Sequence, residues 1–195
     1  ASGNIGTTVV FTDPIAVNAT SQTASLTSLV ADMNGGQVQL LVMLDVNPAF
    51  TAPVDLDFTS ALKKVRTRVH VGLFDDETAE LSQWHVPATH FLEEWSDARA
   101  HDGTASIVQP LILPLYQGKS LHEVVAIFSA RPQRNGLDVV KEYWQAQPPA
   151  AGQDFTKFWR KSLHDGVIAA SALPVRSVGK AQVPPASAST AASGY

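Results

Sequence analysis

A doubly wound α/β fold, with a mostly parallel sheet and helices on both faces, is predicted by three features of this 195-residue chain. The run Val38 to Leu44 is continuously apolar and of strand length, the pattern of a parallel strand covered on both sides. Ahead of it, Leu26, Leu29, Val30 and Met33 fall at i, i+3, i+4 and i+7, which is one face of a helix. After it, helical and strand-like periods continue to alternate, as βαβ units require.

Taken in order, Thr7 to Phe11 is expected to be a short buried strand closed by Asp13-Pro14. Asn18, Thr20 and Ser21 then supply capping side chains for the first helix, which Asn34-Gly35-Gly36 stops. Asp55 or Asp57 can cap a second helix with Phe58, Ala61, Leu62 and Val65 on its inner face, and Arg68 to Leu73 returns as a strand. Ser120-Leu-His-Glu123 has the spacing of a capping box, predicting a helix from there to about Ala130. Leu137, Val140 and Trp144 space another helix. Asp154 can cap the last, carrying Phe155, Phe158 and Trp159 into the core and ending at Gly166. From Pro174 to Tyr195 the composition is Ala, Ser, Pro and Gly, with too little apolar surface to offset ordering, so residues 1–173 read as the domain and 174–195 as a linker or tail.

Composition narrows the function. The chain is 45% hydrophobic and 16% charged, enough apolar material for one full core. A net charge of −4 without a Lys/Arg-rich stretch gives nucleic acid no electrostatic footprint. The longest apolar run, Ile107 to Tyr116, is cut by Pro110 and Pro114 and falls short of the roughly 18 residues of a membrane span. The sequence contains no cysteine, which excludes thiolate-held iron–sulfur clusters and c-type haem attachment within it.

Asp75 to Ser120 is the longest stretch that neither periodicity nor turn chemistry explains, and reads as a long structured loop carrying a site or interface. Within it, WHVPATHFLEEWSDARAHDGTASIVQPLILPLYQGKS, together with the earlier NPAFTAPVDLDFTSALKKV, closely resembles the molybdopterin-oxidoreductase-like half of the large iron–sulfur subunit of alternative complex III. That family is a bacterial quinol:cytochrome c oxidoreductase, and the resemblance runs from about Asn4 to Ile168. It implies a fragment of a cofactor-free structural domain on the periplasmic side of the inner membrane, partnered by the other subunits of a membrane-bound respiratory complex. The iron–sulfur clusters are then expected in sequence beyond this fragment, and the fragment itself is expected to be scaffold rather than catalyst.

The same resemblance places Asn47-Pro48, just past the Val38 to Leu44 strand, close to where molybdopterin enzymes hold the pterin dinucleotide. If a pterin is bound, Asn47, Pro48 and Thr51 are the residues that would meet it. Asp45-Val46 precede them where glycine would open the backbone to phosphate, so a plain turn is the competing role. An active pterin-dependent oxidoreductase and a free-standing small-ligand-binding α/β module are the rival readings. His85, His90 and Glu94 lack a metal-binding motif, since Pro87 interrupts them, and His90 with Glu94 is expected to be a hydrogen-bonded pair. Arg99 between Asp97 and Asp102 is suited to forked bonds that fix the loop. The partner-interface candidates are Trp84, Trp95, Arg99 and Gln109, with Ile107 to Tyr116 expected to be covered by protein outside the fragment.

Overall fold

The structure is a computed structural model that describes residues 3–18 and 20–178. It divides into two compact units, one of residues up to 13 with those from 173 onward, the other of residues 14–172.

In the smaller unit, β1 is Phe11–Thr12. Its antiparallel partner is the two-residue strand Val175–Arg176, and Arg176 forks onto Asp13 at 2.6–3.0 Å. A buried strand at Thr7 to Phe11 is therefore not what forms. The amides of Thr7, Thr8 and Val9 all turn back onto the Asn4 carbonyl, and Val9, Val10 and Phe11 are left 41–56% exposed. Val175–Arg176 are the part of the expected tail that takes up strand pairing; its residues 179–195 lie outside the described ones.

The larger unit opens with α1, Gln22–Asn34, capped by Ser21, whose hydroxyl accepts from the Ala24 amide. It ends at Gly35 as the sequence predicts. Then come β2, Leu40–Leu44, and a four-residue helix α2, Pro48–Thr51. A 3-10 turn at Val54–Leu56 leads into α3, Phe58–Leu62. Asp57 stands at its cap in the left-handed region (φ 44°) without a side-chain capping bond. β3, Thr67–Gly72, follows, and after it α4, Glu77–Glu80, capped by Asp76.

β4 is Trp84–Pro87, and β2-β3-β4 form a parallel sheet in that order, with His70 beside His85 and Met43 beside His70. The stretch expected to be a long loop therefore contains the third parallel strand. It also contains an antiparallel hairpin, β5 (Ser96–Arg99) and β6 (Ala105–Val108), turning at Asp102-Gly103. These segments are only four residues long, too short to show alternation, and their partners are set by tertiary contacts.

The capping box forms as predicted: Ser120 Oγ accepts from the Glu123 amide at 3.2 Å and Glu123 Oε2 accepts from the Ser120 amide at 3.0 Å. The helix it starts, α5 (Leu121–Ala126), is shorter than expected. The amides of Ile127, Phe128 and Ser129 bond three residues back, tightening the helix to a stop before Ala130. α6 (Gly136–Gln145) is capped by Asn135, and a 3-10 turn spans Pro148–Ala150. α7 (Phe155–Asp165) is capped by Asp154 and ended by Gly166 at φ 74°. β7 is the Val175–Arg176 strand already described.

The architecture is thus mixed α/β with a three-stranded parallel sheet and helices. One core packs Val30 and Met33 of α1 against Met43 of β2 and Phe58, Leu62 and Val65. A second packs Val140 and Trp144 of α6 against Phe158 and Trp159 of α7, Ala105 of β6 and Ile168. Leu40 on β2 is half exposed, so the strand expected to be covered on both faces is covered only in part. No helix among the described residues is long and apolar enough to cross a membrane.

Candidate functional site

In parallel sheets ligands collect beyond the carboxyl ends of the strands, at a point where strand order reverses. Here β2, β3 and β4 run in sequence order, and beyond β2 and β3 the chain has built a closed polar corner. Asp45 continues the ladder by donating its amide to the Val71 carbonyl at 2.7 Å, in the left-handed region at φ 51°. That turn swings Asn47 towards the start of α4. Asn47 Nδ2 donates to Glu77 Oε2 and its Oδ1 accepts from the Thr78 hydroxyl, both at 2.7 Å. Thr78 Oγ1 accepts in turn from the Ala49 amide at 3.0 Å, and Thr51 donates its hydroxyl to the Asn47 carbonyl at 2.8 Å. Thr78 is fully buried, so these partners are what satisfy it. The Asn47 amide holds the Glu77 carboxyl below the ordinary carboxylate range.

The three residues that a pterin would meet are therefore occupied. Asn47 is bound at both ends of its amide, Pro48 has no N–H to give, and the exposed Thr51 spends its hydroxyl proton on the Asn47 carbonyl. A carboxylate, Glu77, stands 2.7 Å from the asparagine. The cavity beside the corner, about 210 Å³, is lined by Pro48, Phe50, Pro53, Val54, Asp57 and Phe58. It presents a further carboxylate and no Lys or Arg. Lys64 is spent on Asn34 at the end of α1, 2.9 Å away. In this set of groups a dinucleotide of two phosphates would meet the carboxylates of Glu77 and Asp57 and no cation, which is a poor fit. Sequence reasoning found Asn47 and Pro48 but missed Glu77 and Thr78, about thirty residues on, because nothing in the sequence links the two segments.

The histidines and acids of the central stretch go to separate partners. His85 Nδ1 lies 3.0 Å from Nδ1 of the buried His70 on the neighbouring strand, within hydrogen-bond distance. A Cβ at Gly72 would come within 2.7 Å of the His70 ring, which explains a glycine at that strand end. His90 and Glu94 do not pair as expected: residues 91–94 turn instead of forming a helix, so a spacing of four no longer shares a face. Thr89 takes Glu94 at 2.5 Å, and His90 Nδ1 accepts from the Leu92 amide. Burial pushes the Glu94 carboxyl above its ordinary range, against the opposing pull of the Thr89 hydroxyl and His122. Among the described residues no group of three His, Cys, Asp or Glu could hold a metal ion.

The expected fork between Arg99 and its aspartates is also replaced. Asp97 and Arg99, two apart on β5, share a face and both address Trp144: Asp97 Oδ2 accepts from the indole N–H at 2.9 Å and the guanidinium lies 5.2 Å from the ring centre. Arg99 also donates to the Gly103 carbonyl, while Asp102 caps the hairpin turn at Thr104. Of the other interface candidates, Trp84 is 66% exposed and Gln109 is exposed, whereas Trp95 is half-buried against the second core, tilted on Trp159.

One contact that the sequence did not announce is Ser96 Oγ with His122 Nε2 at 3.1 Å. His122 lines a mostly apolar cavity of about 360 Å³ with Asp97, Arg99 and Tyr143. The nearest acid along β5, Asp97, is engaged by Trp144, and His122 instead feels the charge of Glu94. No family model and no curated protein matches this chain.

Proposed function

We propose that this chain is part of the cofactor-free, molybdopterin-oxidoreductase-like domain of the large iron–sulfur subunit of alternative complex III, with its finer architecture that of the doubly wound molybdopterin-oxidoreductase sheet. The domain serves as scaffold in a membrane-associated respiratory complex on the periplasmic side, while quinol oxidation, iron–sulfur clusters and cytochrome c reduction belong to other parts of the assembly. The observation that carries this reading is the corner at Asn47. The family resemblance points to that strand end as the pterin position, and there every candidate contact is consumed by Glu77, Thr78 or the backbone. Holding a polar corner shut stabilises a scaffold; a cofactor would need it open.

Affinity purification of the intact subunit from membranes of the native host tests the assignment. Co-purification with membrane-anchored subunits, and quinol-dependent reduction of cytochrome c by the isolate, is the expected result. Recovery as a lone soluble protein with no such activity would favour the free-standing α/β module and overturn the proposal.

A further inference from the structure

The run Leu111 to Tyr116 leaves an unusually apolar lip in water. Leu111, Leu113, Leu115 and Tyr116 are 67–85% exposed and Ile112 is 47% exposed. Isolated surface leucines need no explanation, but five such side chains within six residues form a contiguous patch of the kind that marks an interaction site. The segment is also held in shape. The amides of Leu111 and Ile112 both donate to the Leu92 carbonyl at 2.7 and 3.1 Å, the Leu115 amide donates to Glu93 Oε1 at 3.2 Å, and Pro110 and Pro114 restrict the rest. Little conformational freedom remains to be lost when this lip meets a partner.

Beneath it lies a cavity of about 370 Å³, walled by Pro110, Ile112, Leu113 and Pro114 on one side and by Trp95 and Leu137 on the other. Glu93, Glu94 and Glu123 are its charged lining residues, and neither Lys nor Arg lines it. One oxygen of Glu94 accepts from the Thr89 hydroxyl and one of Glu123 from the Ser120 amide, while both oxygens of Glu93 accept backbone amides, those of His90 and Leu115. Lys119 and Arg134 line the neighbouring cavity on the far side of Glu123 rather than this one. Carboxylates gathered in a half-dry, aromatic-walled space favour a cation, and a guanidinium or ammonium there also gains the Trp95 face.

We infer that this face docks another protein, through a segment whose apolar side chains cover the Leu111 to Tyr116 lip and whose single arginine or lysine enters the acidic cavity. Charge complementarity selects the cation, and the exposed lip selects a polypeptide over a small amine, which would leave those five side chains in water. A bilayer is the wrong cover, because anionic headgroups would meet three carboxylates. The scaffold reading above supplies only the partner's identity, as a neighbouring subunit; the chemistry of the face stands without it.

Fluorescence anisotropy on the full chain tests this with a short labelled peptide of leucine and proline around one arginine, beside its citrulline counterpart. The arginine peptide should bind saturably and the uncharged one about tenfold or more weaker. Leu113→Asp, at a site 85% exposed and so harmless to folding, should weaken the arginine peptide about tenfold, and Glu94→Gln should weaken it several-fold. Equal binding of the two peptides, displacement by hexylammonium at matching concentration, capture by phosphatidylglycerol vesicles instead, or no saturable binding would each overturn the inference. Because none of these readings involves metal, pterin or co-purification, failure here is separable from failure of the scaffold reading.

Discussion

The two cores of the larger unit are held by different physics. The first, between α1, α3 and β2, is mostly aliphatic: Val30, Met33, Met43, Leu62 and Val65 pack together with the ring of Phe58. The second, between α6, α7 and β6, is aromatic and pinned by polar groups. Trp144 donates to Asp97, the Ala105 amide donates to the buried Ser171 hydroxyl at 2.9 Å, and that hydroxyl donates to the Ile168 carbonyl at 2.6 Å. An aliphatic core tolerates volume-conserving exchange, since its stabilisation is transfer and packing. A pinned core is less forgiving, because removing one partner leaves the other buried and unsatisfied.

The largest effect is expected where both penalties fall together. Trp144→Ala should destabilise by about 3–5 kcal/mol in denaturant melts, and Trp144→Phe by about 1–3 kcal/mol through the lost bond to the half-buried Asp97 and the smaller ring. In the aliphatic core Leu62→Ala should cost about 2–5 kcal/mol, whereas Leu62→Met should cost less than about 1.5 kcal/mol. If Trp144→Phe proves as mild as Leu62→Met, the distinction between the cores fails. Next comes the cap of α5: Ser120→Ala should cost about 1 kcal/mol, and no change would mean that the capping box contributes nothing.

The smallest effect is a pH slope from Glu94, which faces Glu123 and Asp45 as repulsive neighbours and His122 as an attractive one. Its folded pKa is raised, so the folded state binds the proton more tightly than the unfolded one. The contribution is full below the unfolded carboxylate value and is lost as pH rises through the folded value. Glu94→Gln should flatten stability across that window; an unchanged slope would show that burial does not perturb this carboxyl.

Legibility followed how local each interaction is. Ser21, Ser120 and Asp154 were readable as caps because a cap and its amides lie within three residues, and Leu26 to Met33 because a helix repeats its face. β4 was not readable: Trp84–Pro87 is short and ends in a proline, and only its pairing with β3 makes it a strand. The same holds for the candidate site. Asn47 was visible as a turn residue, but Glu77 and Thr78 reach it through the fold. Composition could show that Trp144 and Trp159 would be buried; it could not show that Asp97 would hold one of them.

The proposal that this chain is a pterin-free domain of a larger subunit is tested most directly by elemental and pterin analysis of that subunit, purified intact. The account predicts iron from clusters held elsewhere in the subunit, no stoichiometric molybdenum or tungsten, and no fluorescent pterin released on denaturation. Stoichiometric molybdenum or tungsten with a released pterin would contradict it and make the active-oxidoreductase reading correct.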